Sequence, residues 1–182
     1  MPAMSRPHFW RHPLCLAPRA LHPWLTEAGS LTARLKKSFP ALRVRVLRQG
    51  WQRPVRDELC ELRLQRPEAF AAVREVLLLD GDVPLVFAHS ATPRQALRGG
   101  FHLLERTGSR PLGALLFADP TITRSPLAWC RVDRRHPLWR RAKLAAGPLP
   151  PRLWARRSVF FSGRDRLLVT EVFLPATNPK TV

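Results

Sequence analysis

Two stretches of this chain read as strands that carry a charge on the face meant for the core. In A-A-V-R-E-V-L-L-L (71–79), Arg74 shares its face with Ala72, Val76 and Leu78. In L-L-V-T-E-V-F-L-P (167–175), Glu171 shares its face with Leu167, Val169 and Phe173. Successive side chains of a strand point to opposite faces, so these companions follow from the pleat alone. A charge turned toward an apolar interior needs a partner, because leaving it desolvated and unpaired costs several kcal/mol. Three arrangements satisfy that demand. Arg74 and Glu171 pair with each other, one of them faces solvent on an edge strand, or both line a pocket that takes a polar ligand. Glu75, next to Arg74, poses the same difficulty.

The surrounding pattern predicts an α+β fold. Residues 1–22 are rich in Pro, Arg and His without periodicity and read as an irregular leader. Pro23 suits the first turn of a helix, and Trp24, Leu25, Ala28, Leu31 and Leu35 recur at helical spacing around Gly29-Ser30. That spacing predicts a pair of short helices, with Ser30 capping the second. Residues 42–48 alternate as a half-buried strand. Residues 71–79 and 85–91 flank Asp80-Gly81-Asp82, and 153–161 and 167–174 flank Ser162-Gly163-Arg164-Asp165, so two hairpins are expected. Between them, Pro93 opens a helical segment to about Arg106, and a second short helix follows from Pro111 to Phe117 across Gly108. Residues 127–133 read as another strand and 136–152 as an irregular Pro-rich excursion. The expected architecture is one domain over 23–176, an antiparallel sheet with clustered helices, followed by a tail at 177–182.

Composition narrows the function classes. Among 182 residues, 45% are hydrophobic, which allows a real core, and no apolar run reaches the length of a membrane span. The net charge of +18 suggests nucleic acid at first sight. However, the basic residues are scattered along the chain, and all but Lys36, Lys37, Lys143 and Lys180 are arginine. No Tyr is present to build a stacking platform. The charge fits better with a positive field that draws in small anions. Cys15, Cys60 and Cys130 lack metal or disulfide spacing, and the six histidines are dispersed. Neither a phosphate-binding glycine loop nor a dinucleotide fingerprint is visible, so no cofactor or metal is expected. The expected protein is cytoplasmic.

A pocket holding one guanidinium and one carboxyl group has a definite chemical use. The guanidinium fork meets both oxygens of a carboxylate. A glutamate in apolar surroundings can exchange a proton with a hydroxyl or ether oxygen. An aromatic hydroxy acid has the matching shape.

Six segments, in order, carry a family resemblance. They are W-L-T-E-A-G-S-L-T-A-R-L (24–35), V-R-E-V-L-L-L-D-G (73–81), R-P-L-G-A-L-L-F (110–117), T-I-T-R (121–124), L-W-A-R-R-S (153–158) and L-L-V-T-E-V-F-L-P-A (167–176). Together they resemble chorismate pyruvate-lyase over nearly the whole chain beyond the leader. The resemblance implies conversion of chorismate to 4-hydroxybenzoate and pyruvate for ubiquinone synthesis by a cofactor-independent monomer. It implies a ligand buried beneath two helix–turn–helix flaps, to which the two Gly-linked helix pairs correspond. By the same resemblance Arg74 binds the product carboxylate, Glu171 meets the product hydroxyl, and Leu31 and Leu112 contribute flap contacts.

The family often has methionine at the position of Leu31, a swap that keeps apolar volume. It commonly has a second arginine where this chain reads Ala88-His89-Ser90. If that arginine helps to hold the enolpyruvyl carboxylate, the task falls here to His89, or to a nearby arginine such as Arg94. An alternative is a non-catalytic sensor, since effector domains of some transcription regulators have a related fold. Such regulators carry a DNA-binding domain of some 60–70 residues ahead of the sensor, and only about 22 irregular residues precede the resemblance here.

Overall fold

Two turn glycines set the two hairpins. Gly81 (φ 55°) and Gly163 (φ 58°) lie in the left-handed region that other residues avoid, each opening a two-residue loop. The computed structural model describes residues 10, 12–65, 69–102, 104, 107, 108 and 110–177. Seven antiparallel strands form one sheet. They are β1 (Leu42–Gln52), β2 (Ala71–Asp80), β3 (Val83–Pro93), β4 (Thr123–Arg124), β5 (Ala128–Asp133), β6 (Arg152–Ser162) and β7 (Asp165–Phe173). Their order is β1-β2-β3-β7-β6-β4, and β5 also pairs with β6. The two hairpins therefore meet along β3 and β7, which brings Arg74 and Glu171 into the same central region.

Each face of the sheet has its own cover. On one face lie α1 (His22–Leu25), α2 (Leu31–Ser38) and α3 (Leu112–Ala118). Leu25, Leu31 and Leu35 pack there against Val76, Leu78, Trp154 and Phe173, and Leu116 packs against Phe160. On the other face, α4 (Pro137–Ala146) lays Leu138, Trp139 and Ala142 over Leu77, Phe87, Ala155 and Val172. Burial of the leucine, valine and phenylalanine side chains among these stabilises the fold by about 1.5–3 kcal/mol each.

Four expectations need correction. Residues 137–146 are helical, not irregular. The Pro and Gly that look like breakers are the start and stop of α4: Pro137 sits in the first turn, Nδ1 of His136 accepts from the Leu138 amide at 3.2 Å, and Gly147 follows the last turn at φ 86°. The helix expected from Pro93 is a continuation of β3 into a short 3-10 turn at Arg94–Leu97, and part of its remainder lies outside the described residues. Of the second expected helix pair, the described residues show α3 and the short turn at Arg94–Leu97. Finally, the stretch assigned to a leader contributes three buried side chains and two short 3-10 turns. Trp10, Ala17 and Leu21 are buried, and the Trp10 indole donates to Asp57 at 2.6 Å. Residues 1–9, 11 and the tail 178–182 lie outside the description.

Candidate active site

Small side chains in the middle of the sheet leave a hollow under the helices. On the covered face, cross-strand pairing lines up Arg74, Ser90, Val169 and Ser158 in one row, and Val76, Ala88, Glu171 and Arg156 in the next. Ala88, Ser90 and Val169 are too short to reach the helices above. The result is a cavity of about 60 Å³ walled by Arg74, Arg124, Arg156 and Glu171 and roofed by Leu31 and Leu112. That volume accommodates a few water molecules.

Arg74 enters from β2 and is 7% exposed. One terminal nitrogen donates to the carbonyls of Gly108 (2.6 Å) and Arg110 (3.3 Å), which ties the strand to the turn before α3. Its Nε is buried with no hydrogen-bond partner among the described residues. Burial pushes the guanidinium below its usual pKa, the direction expected for a cation taken from water. An arginine poised this way is a ready donor to an anion.

Glu171 enters from β7 and does not pair with Arg74. Its carboxylate accepts from Nε of Arg156 at 2.5 Å, directly across from it on β6. Arg156 is 1% exposed, and its other donors bond the carbonyls of Trp24 (2.7 Å) and Glu27 (2.8 Å). The Trp24 carbonyl is one that α1 leaves unbonded where it ends, and Glu27 lies in the turn that follows. Glu171 thus stands as a hydrogen-bond acceptor toward Arg156, not as a lone carboxyl group in apolar surroundings.

Arg124, on the short strand β4, completes the wall. Its Nε donates to Ser158 Oγ at 2.7 Å, and a terminal nitrogen donates to Ala28 O at 2.8 Å in the turn between α1 and α2. The guanidinium also rests on Phe160 (5.1 Å) and Phe117 (5.6 Å). Neither Arg124 nor Arg156 is marked by the strand pattern that picks out Arg74. Both stand in the segments T-I-T-R and L-W-A-R-R-S, and the signal that marked Arg74 was available for Arg156. It was masked because Arg157 beside it places a charge on each face.

His89 is where the expectation fails. Its backbone borders the cavity, but its ring lies on the opposite face. There its two nitrogens are each 3.1 Å from a carboxylate, Glu58 on one side and Glu75 on the other, and it is fully buried. Arg141 of α4 joins the cluster through Glu75 at 2.8 Å. Burial alone would lower the imidazole pKa, but the two carboxylates outweigh it and raise it to about 9. The cause is a bulge: the β2–β3 register slips between Leu78 and Leu79, so Arg74 faces Ser90 and not His89. Arg94 is also away from the cavity, stacked on Trp51 at 5.6 Å. Leu31 and Leu112 do close the cavity, each as the first residue of its helix.

The family model for chorismate lyase matches residues 7–181. The chain belongs to the chorismate lyase family. A relative from Aromatoleum aromaticum, named "Probable chorismate pyruvate-lyase", is 50% identical over 176 residues, which is 93% of this chain and 95% of the relative. One of the same name from Thiobacillus denitrificans is 48% identical over 160 residues, covering 88% and 85%. Among solved structures, the effector domain of PhnF from Mycobacterium smegmatis superposes with a TM-score of 0.52 at 12% identity, covering 81% of this chain and 90% of that one. That likeness concerns the fold alone.

Proposed function

We propose that this chain is a chorismate pyruvate-lyase. It releases 4-hydroxybenzoate and pyruvate for ubiquinone synthesis, as a cytoplasmic, cofactor-independent monomer. One observation carries the reading: Arg74 and Glu171 line one cavity from different strands without touching, and Arg74 keeps a buried donor with no partner among the described residues. The names of the relatives support the same activity. No helix among the described residues is long and apolar enough to cross a membrane, in keeping with a cytoplasmic site of action.

Chorismate carries a ring carboxylate, a ring hydroxyl and, on the carbon beside that hydroxyl, an enolpyruvyl ether. In the proposed reaction Arg74 anchors the ring carboxylate, with Leu31 and Leu112 holding the ring from above. Glu171 faces the hydroxyl end and takes the hydrogen from the carbon that bears the hydroxyl, as a proton. The electrons of that C–H bond complete the aromatic ring as the neighbouring ether C–O bond breaks. Enolpyruvate leaves with the C–O electrons and is protonated at its methylene carbon to give pyruvate, so no net proton is gained or lost. Aromatisation supplies the driving force, and the protein positions the dianion, a contribution that can reach about 10⁵ in effective molarity. The cavity is too small for the substrate as it stands, so α2 and α3 must part to admit it.

Incubating the purified protein with chorismate and following 4-hydroxybenzoate absorbance tests the proposal. Turnover without added cofactor supports it. Binding of chorismate without any product favours the sensor reading instead.

A further inference from the structure

The cavity wall holds three guanidiniums against one carboxylate. Arg156 is matched by Glu171, whereas Arg74 and Arg124 have no carboxylate within ion-pair distance among the described residues. Glu171 and Glu27 act on Arg124 only at longer range, so two cations in a part-buried wall lack a direct ion pair, which is unfavourable unless a ligand compensates them. The site therefore suits a dianion, and the two cations are placed apart. Arg74 stands at one end of the cross-strand row Arg74–Ser90–Val169–Ser158, and Arg124 bonds the hydroxyl of Ser158 at the other end. Three strand spacings separate those ends, about 14 Å between backbones. Two arginine side chains reaching inward shorten that span to the scale of a small dicarboxylate, and Glu171 stands in the adjacent row between them.

We infer that Arg124 is the second carboxylate receptor of the site, binding the enolpyruvyl carboxylate of chorismate while Arg74 holds the ring carboxylate. This rests on the lyase reading above and assigns to Arg124 the task that His89 is turned away from. Its guanidinium is already held in place, by Ser158 Oγ, the Ala28 carbonyl and the faces of Phe117 and Phe160, so little freedom is lost on binding. The same contacts tie it to the turn that leads into α2. A substrate carboxylate on Arg124 would thus be felt by the helix that roofs the cavity. After the ether bond breaks, Arg124 faces pyruvate alone while Arg74 keeps the aromatic product. Arg124 then distinguishes substrate from aromatic product by charge.

The test compares a dianion with a monoanion on the full chain. Arg124→Met should raise KM for chorismate about 10–100-fold, the range for a lost charge-assisted contact, while the inhibition constant for 4-hydroxybenzoate stays within about threefold. Arg124→Lys should show the same selectivity at roughly a third of the effect on a logarithmic scale. It carries the test if the Met variant does not fold. Equal losses for both ligands, or no loss for either, overturn the assignment. If the wild type binds chorismate by calorimetry without turning it over, the lyase reading fails. Selective weakening of chorismate binding in Arg124→Lys would then still uphold the receptor, and unchanged binding would remove it. A wild type that neither binds nor converts chorismate removes both.

Discussion

Glu171 sits directly opposite Arg156 on the neighbouring strand and accepts its Nε donor at 2.5 Å, which leaves Arg74 across the cavity with no carboxylate partner among the described residues. The candidate base is thus held by one arginine so that another stays open for ligand. Replacing Arg156 with Met should break a buried pair and strip the carbonyls at the end of α1 of their donor. The expected cost is about 3–5 kcal/mol of stability by urea denaturation, with kcat down at least about 100-fold. Adding Glu171→Gln to that variant should return much of the stability and none of the activity. A stable, active Arg156→Met protein would show that the pair does not organise the site.

The two ends of the cavity should respond differently to truncation. Glu171→Ala should abolish turnover. Arg74→Ala should chiefly weaken ligand binding, raising the inhibition constant of 4-hydroxybenzoate by about 10–100-fold. Steady-state kinetics with the product as inhibitor separates the two effects. Near-normal turnover in Glu171→Ala would end its role as base.

The roof depends on a missing side chain. A Cβ at Gly113 of α3 would lie 2.7 Å from Oγ of Ser30, the residue that caps α2. Gly113→Val should push the two helices apart and disturb that cap, weakening 4-hydroxybenzoate binding by roughly 3–10-fold and speeding its release. Adding Ser30→Gly should restore part of the loss. Unchanged release kinetics in Gly113→Val would mean that this contact does not control closure.

The buried histidine gives a pH dependence with a fixed sign. His89 titrates near 9 in the folded protein, against about 6.5 in an unfolded chain. Below about 6.5 both states hold the proton and its stabilisation is complete. Between 6.5 and 9 only the folded state keeps it, so stability falls as pH rises through that window and is lost above it. Thermal melts from pH 6 to 9.5 should show this decline, and His89→Gln should be less stable at pH 6.5 with a flatter profile. A wild-type Tm that rises over the same range contradicts a charged His89.

Much of this was legible in the sequence, and the failures have local causes. Period-two alternation and turn glycines located both hairpins, because nothing else satisfies Gly81 and Gly163 so simply. The charges at 74 and 171 marked the cavity, because an apolar strand has few reasons to carry either. The bulge at Leu78 and Leu79 was invisible, since one extra residue in a hydrophobic run leaves no mark on the pattern, yet it decides which side of the sheet His89 occupies. The α4 helix was hidden by its own boundaries, Pro137 and Gly147, which together read as an irregular excursion. Arg124 offered no periodic signal, because β4 is two residues long and its arginine gains meaning only beside Ser158.

The proposed reaction requires a ring that spans the space from Arg74 to Glu171. A crystal structure of the protein with 4-hydroxybenzoate bound tests that directly. The ring should lie beneath Leu31 and Leu112, its carboxylate within hydrogen-bond distance of Arg74 and its hydroxyl against Glu171. A product found outside this cavity, or bound with its ends reversed, would contradict the account.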